Sequence, residues 1–210
     1  MKRLALLLPL LLLWSLPASA HPHVMVSMTS EVIFEGGKVA AIRHHWTFDD
    51  MYSAFATANL GKDGKDPTPQ DLQPVAQTNM DSLREFDFFT VPKVNGKKAV
   101  FGAPKDYSMT FDGKDKTATL HFTVPLAEAV QSKLFVFQIY DPSYFVAFSF
   151  DKGEPVKLLG APQGCSLSVS KPRALDSEES KKLNESFFSG LSPGSDFGAK
   201  LADRAILACP

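Results

Sequence analysis

The chain has 210 residues, of which 44% are hydrophobic, 21% charged and 11% aromatic. This length and composition are typical of one globular domain, or of one domain with an appended subdomain, and they exclude extensive disorder. The 22 Lys and Arg side chains are balanced by 23 Asp and Glu side chains, and the net charge is −1. No basic surplus exists to neutralise nucleic-acid phosphates, so we expect no nucleic-acid partner.

The first twenty residues have the pattern of a cleavable secretory signal peptide. Lys2 and Arg3 precede an apolar run, and Ala18-Ser19-Ala20 supplies the small residues of a cleavage site. The run is about half as long as the ~20 apolar residues that a membrane-spanning helix needs. We therefore expect a periplasmic protein that begins at His21, forms a single domain over 21–210 and does not span the membrane.

Strand and helix patterns alternate along the first half of the mature chain. Alternating apolar residues predict a β-hairpin from His23 to Phe48 that turns at Gly36-Gly37. Helical spacing follows in Asp50–Leu60 and again in Pro69–Phe89, on either side of a polar, glycine-rich loop. The sequence thus predicts a helix-loop-helix insertion at 50–89.

The second half is dominated by strand patterns separated by turn residues. Asn95-Gly96 predicts a hairpin turn, and Asp141-Pro142-Ser143 separates two aromatic strands, Leu134–Tyr140 and Tyr144–Phe150. Further predicted elements are a turn at Asp112-Gly113, a strand at Cys165–Val169, a helix from Asp176 to about Phe188, and a short final element at Phe197–Leu207. We predict an α+β fold, mainly antiparallel and sandwich-like, with the inserted helices and a C-terminal helix. Strand order does not follow from these patterns.

Two cysteines, Cys165 and Cys209, are present in the mature chain. An oxidising compartment favours their pairing in a disulfide, which would tie the C-terminus to the body of the protein. Two thiolate ligands of a metal are the alternative, but neither cysteine has a second Cys at the usual CxxC spacing.

The mature N-terminus predicts a metal chelate. Cleavage after Ala20 would give His21 both a free α-amine and an imidazole, which together can bind Zn²⁺, Cu²⁺ or Ni²⁺. His23 follows two residues later. A frayed terminus without function is the alternative interpretation.

The register of the first hairpin adds acidic residues to this predicted site. With Gly36-Gly37 as the turn, every cross-strand pair sums to 73, which places His23 opposite Asp50 on one face. Asp49 points to the other face but could turn inward where the strand ends. A one-residue bulge would undo this pairing.

The remaining histidines and the interhelical loop give weaker signals. His44 and His45 face opposite sides of a strand, so at most one can join a given site, and His121 is predicted on the surface of an amphipathic strand. The loop 59–72 partly follows a calcium-loop pattern, with Gly61 and Asp71 as its departures. A solvated loop is the preferred interpretation.

Five short motifs, in this order, resemble a family of bacterial proteins described as the periplasmic component of an ABC-type transport system, which includes a zinc-binding member. The motifs are AHPHVMV, HHWTFDDMYSAF, REFDFFT followed by VNGK, IYDPSYFVAF, and APQGC. The resemblance implies an accessory protein of a nickel/cobalt/zinc-type permease in the inner membrane. The matching positions are His21, Pro22, His23, Trp46, Phe48, Asp49, Asp50, Tyr140, Asp141 and Pro142.

The sequence therefore predicts a periplasmic divalent-metal-binding protein that is not an enzyme, with zinc as the first candidate and copper or nickel as alternatives. Its primary ligands would be His21 and His23, and Asp50 with Asp49 or Asp141 would complete or orient the site. One alternative is a copper oxygenase, which would need His44 or His121 as a second histidine. A copper carrier without turnover is a related alternative. A metal-free adaptor of a transport system is another.

Overall fold

The structure is a computed structural model that describes residues 22–61, 64–183, 187, 190 and 197–210. The predicted signal peptide and His21 lie outside these residues. The strands are β1 (Val24–Glu35), β2 (Lys38–Phe48), β3 (Thr90–Val94), β4 (Lys97–Lys98), β5 (Lys105–Asp112), β6 (Thr117–Val130), β7 (Leu134–Ile139), β8 (Val146–Phe150), β9 (Val156–Leu159), β10 (Ser166–Ser170) and β11 (Arg204–Ala208). The helices are α1 (Asp50–Ala56), α2 (Pro69–Arg84), α3 (Ser177–Lys182) and α4 (Phe197–Leu201), with a 3₁₀ turn at Asp87–Phe89.

The strands form two sheets that pack face to face. One has six strands, in the order β5-β6-β2-β1-β8, with β9 also paired to β1, and the other has the order β10-β11-β7-β3-β4. Aromatic rings join the sheets, since Phe137 on β7 lies 6.1 Å from Phe150 on β8 between ring centroids. Ring burial of this kind contributes much of a sandwich core. The predicted α+β fold with mainly antiparallel strands is confirmed.

A β-bulge in the first hairpin changes the predicted register. The turn is as predicted, with Gly36 and Gly37 at φ +55° and +78° and Glu35 opposite Lys38. The pairing then shifts between Ile33 and Phe34, because Ala40 is an extra residue on β2. Beyond the bulge the pairs sum to 74, as in Val26 opposite Phe48. The predicted pairing of His23 with Asp50 is therefore wrong.

The inserted helices are confirmed, but both end earlier than predicted. α1 ends at Ala56 rather than Leu60, and Asn59 beyond it is left-handed at φ +66°. α2 begins with a capping box between Thr68 and Asp71, typically worth about 1 kcal/mol, and buries an apolar face of Leu72, Ala76, Met80 and Leu83. It ends at Arg84 because 87–89 have positive φ and turn the chain into β3.

The C-terminal part is tied to β10. The disulfide between Cys165 and Cys209 is formed, as predicted, across a sequence separation of 44, and a bond of this kind is typical of proteins outside the cytoplasm. The patterns missed β9. The predicted helix from Asp176 is represented by α3, and 184–186 and 188–189 lie outside the described residues. In the ranges that the structure describes, no helix has the length and apolar character needed to cross a membrane.

Candidate metal centre

His23 lies at the exposed start of β1 and is held by the loop that precedes β8. Its main-chain N–H donates to the carbonyl of Phe145 at 2.9 Å, and its imidazole stacks on the Phe145 ring at 4.5 Å between centroids. The parallel pairing of β1 with β8, from Val24 opposite Val146, brings these residues together. His23 is therefore held beside Phe145 directly before β1, and His21 precedes it by two residues.

Asp49 and Asp50 follow β2 at the same end of the sheet but have different surroundings. Asp49 caps α1, since its carboxylate accepts from the N–H of Tyr52 at 2.7 Å and from the N–H of Met25 at 2.6 Å. Both of its oxygens are thus occupied by main-chain donors, as expected of an N-cap residue. Asp50 is exposed and accepts from the adjacent N–H of Met51 at 2.9 Å. Of these two acids, Asp50 is the more accessible to a cation.

Asp141 is a buried turn residue, 7% exposed. Its carboxylate accepts from the N–H and the hydroxyl of Ser143, each at 2.8 Å, and from the N–H of Val146 at 3.1 Å. These bonds shape the loop that carries Phe145. Asp141 therefore acts on His23 indirectly, by holding the loop whose Phe145 contacts His23, and not as a metal ligand.

In the part of the chain that the structure describes, no group of three or more His, Cys, Asp or Glu side chains is arranged to hold a metal ion. The predicted chelate depends on His21, which lies outside those residues, so the ligand set stays a prediction. The donor types fit the expected metals, because an amine, imidazoles and a carboxylate are ordinary ligands of Zn²⁺, Cu²⁺ and Ni²⁺.

His44 is fully buried in the core between the two sheets. Its Nδ1 lies 2.9 Å from the Ser30 hydroxyl, and its ring lies 5.1 Å from that of Phe122. Burial lowers the pKa of His44 to about 3, and the neighbouring His45 adds to this effect. His44 is therefore a neutral core side chain and cannot reach the terminal imidazole.

His45 and His121 form a pair on the outer face of the six-stranded sheet. They lie opposite each other on β2 and β6, with their Nδ1 atoms 2.7 Å apart. The Nε2 of His121 lies 2.8 Å from the Thr110 hydroxyl on β5. Burial lowers the pKa of both imidazoles. The sequence placed His121 on a strand surface but missed this pair, which depends on the pairing of strands 76 residues apart.

In the described part of the loop 59–72, the acidic side chains make contacts within the protein that differ from those of a calcium loop. The Asp71 carboxylate accepts from the Thr68 N–H at 2.9 Å in the α2 capping box, and Asp66 forms an ion pair with Lys116 at 2.9 Å. Residues 62 and 63 lie outside the described part. The two acids therefore stabilise the helix start and the contact with the β5–β6 turn.

A family model described as "Protein of unknown function (DUF1007)" matches residues 6–209. The chain belongs to the DUF1007 family. It is also similar to an "Uncharacterized protein" of Haemophilus influenzae (strain ATCC 51907 / DSM 11121 / KW20 / Rd), with 24% identity over 211 residues that cover 100% of both chains. These descriptions name no ligand, reaction or partner. Metal binding and transport therefore remain predictions for this DUF1007 protein.

Proposed function

We propose that this DUF1007 protein is a periplasmic divalent-metal-binding protein, with zinc as its first metal, that serves a nickel/cobalt/zinc-type permease of the inner membrane. The observation that carries the proposal is the anchored position of His23. Its N–H bond to Phe145 and its stacked ring hold the chain at the sheet edge. The proposed mature terminus is only two residues from this anchored histidine. The short distance reduces the conformational entropy that is lost when the terminus binds a metal.

The proposed ligands are the α-amine and imidazole of His21 and the imidazole of His23. Asp50 is the proposed acid that completes a four-coordinate site, because its carboxylate is exposed at the start of α1. Asp49 and Asp141 act on the site indirectly, by fixing the start of α1 and the Phe145 loop. One discrete site of this kind suits a carrier that passes single ions to a permease.

Zinc titration of the processed protein tests the proposal directly. The mature chain beginning at His21, verified by mass spectrometry, is compared by calorimetry with the same chain carrying one extra N-terminal residue. The added residue removes the α-amine next to the His21 imidazole. We expect zinc affinity to fall by roughly tenfold or more, which corresponds to ~1.4 kcal/mol or more. Equal affinity of the two forms would contradict the chelate.

His23→Ala in the processed chain supplies a second comparison. Its zinc affinity should fall, while the free energy of unfolding should fall by about 1 kcal/mol or less, because the exposed ring loses its stacking on Phe145 but the main-chain bond stays. Nickel and copper titrations of the same proteins establish the order of preference. Copper should bind more tightly than zinc at an amine and imidazole site, so the metal content of protein isolated from the periplasm decides which ion is carried.

A metal-free adaptor is the second candidate, and one observation favours it. Met51 and Phe55 are 69% and 79% exposed on one side of α1 and could contact a membrane permease. Deletion of the gene in zinc-poor medium should lower cellular zinc under both proposals. If His23→Ala restores zinc uptake and Phe55→Ser does not, the adaptor is favoured over the carrier.

A further inference from the structure

We infer that His45 and His121 form a second, independent metal site, for Zn²⁺ or Cu²⁺, on the outer face of the six-stranded sheet. This face consists of side chains directed away from the core. The pair lies on β2 and β6, which are adjacent strands inside the sheet and not at its edges. The site uses neither His21 nor His23. It is therefore separate from the terminal chelate.

The two imidazoles are already close to the geometry of a shared metal. Their Nδ1 atoms are 2.7 Å apart, whereas two nitrogens on one tetrahedral zinc, at ~2.0–2.1 Å each, are roughly 3.3 Å apart. A separation larger by about 0.6 Å can be reached by small side-chain rotations. Because the strands fix both main chains, the pair needs little ordering to bind an ion.

The surroundings favour the ligand form of the His121 ring, whereas the His45 ring must move its proton from Nδ1 to Nε2 when a metal binds. Thr110 can accept a hydrogen bond from Nε2 of His121 at 2.8 Å, which leaves the Nδ1 lone pair directed at His45. A hydrogen-bonded second nitrogen is the usual arrangement for a metal-binding histidine. Burial lowers the pKa of His45 and of His121, and Glu31 opposes this effect at His45. Neutral imidazole is the form that metals bind.

Two carboxylates, of Glu31 and Glu154, line the surface beside His45. His45, Glu31, Glu154 and Lys157 are among the residues that line a cavity of about 250 Å³. Thr29 lies opposite His45, and Glu31 is two residues further along β1 on the same face, within reach of a long side chain. Its carboxylate is held by Arg43 at 2.8 Å. The nearby cations Arg43 and Lys157 oppose a bound metal, so we expect an exchangeable site that water helps to complete.

The test uses the mature full-length chain in a background that lacks the terminal chelate. This background is the mature chain with both terminal histidines replaced, by His21→Ala and His23→Ala. It is titrated with Zn²⁺ by calorimetry and with Cu²⁺ by electron spin resonance. We expect one ion per chain and copper hyperfine coupling from two nitrogens. Absence of zinc and copper binding in the background would overturn the inference and would leave the pair as a structural hydrogen bond.

Single substitutions then locate the ion. His45→Asn and His121→Asn retain a polar side chain of similar size and should each weaken binding by roughly tenfold or more. Thr47→Val, on the same face of β2, is the matched control and should leave affinity unchanged. Circular dichroism and thermal unfolding confirm that each variant is folded, and solution NMR of the imidazoles reports zinc contact in the background protein. Equal affinity in the two histidine variants and the control would overturn the assignment.

The outcomes separate the two sites. Failure of the terminal chelate is seen as equal zinc affinity in the processed and extended chains, both with His45 and His121 replaced by Asn. Failure of the paired site is seen only in the His21→Ala, His23→Ala background. Either site can therefore be lost in the experiment without affecting the conclusion about the other.

Discussion

His44 and His45 are neighbours on β2, yet strand parity gives them opposite environments. His44 is fully buried among aromatic rings, whereas His45 is half-buried on the outer face beside His121. The same imidazole is thus a neutral core side chain at one position and a candidate ligand at the next. The side of the sheet, rather than the residue type, decides what a histidine in this strand can do.

The largest difference between the two histidines is expected in acid. Burial lowers the pKa of His44 to about 3 in the native state, whereas histidine in an unfolded chain titrates near 6.5. Below pH 6.5 the unfolded state therefore binds more protons than the native state. As the pH is lowered, the free energy of unfolding falls by about 1.4 kcal/mol per pH unit, or roughly 4–5 kcal/mol by pH 3. His44→Leu should flatten this dependence in urea denaturation between about pH 4 and 7.

His45→Asn is the matched control for the acid experiment. Burial lowers the pKa of His45, but Glu31 opposes this effect. Replacing His45 by Asn should therefore leave most of the pH dependence of the free energy of unfolding in place. An unchanged pH dependence in His44→Leu would contradict the assignment of His44 as a neutral core residue.

A smaller difference is expected at pH 7. His44→Ala removes ring contacts with Trp46 and Phe122 and leaves the buried Ser30 hydroxyl without its partner. We expect a loss of about 2–4 kcal/mol in the free energy of unfolding, measured in urea. His45→Ala on the outer face should cost about 1 kcal/mol or less. Equal losses would show that the two faces are equally important for stability.

Zinc should stabilise the protein through the outer histidines and not through His44. In the His21→Ala, His23→Ala background, zinc at about 100 times its dissociation constant should raise the free energy of unfolding by ~2.7 kcal/mol. At the same zinc concentration, His121→Asn should lower this increase to about 1.4 kcal/mol or less, whereas His44→Leu should retain it in full from a lower starting stability. Thermal unfolding with and without zinc measures both. Loss of the increase in His44→Leu alone would place the ion elsewhere.

Features set by neighbouring residues could be predicted from the sequence, and features set by distant pairing could not. The turns at Gly36-Gly37 and Asn95-Gly96 follow from residues that tolerate positive φ. The bulge at Ala40 has no such local signal, and it shifted every later pair of the hairpin. The contact of His45 with His121 required knowledge that β2 pairs with β6. Strand order, which turn chemistry does not encode, therefore decided what the sequence missed about this site.

Asp49 and Asp50 are a second pair of adjacent residues with different surroundings. Their substitution is expected to change the free energy of unfolding least. Asp49→Ala removes the N-cap of α1 and the bond to Met25, and we expect a loss of about 1–2 kcal/mol in the free energy of unfolding. Asp50→Ala should change it by about 0.5 kcal/mol or less, because that carboxylate is exposed. For zinc affinity of the processed chain the order should reverse, since Asp50 is the accessible acid. If calorimetry shows that Asp49→Ala weakens zinc binding while Asp50→Ala does not, the carboxylate that caps α1 is also the ligand, and Asp50 leaves the proposed site.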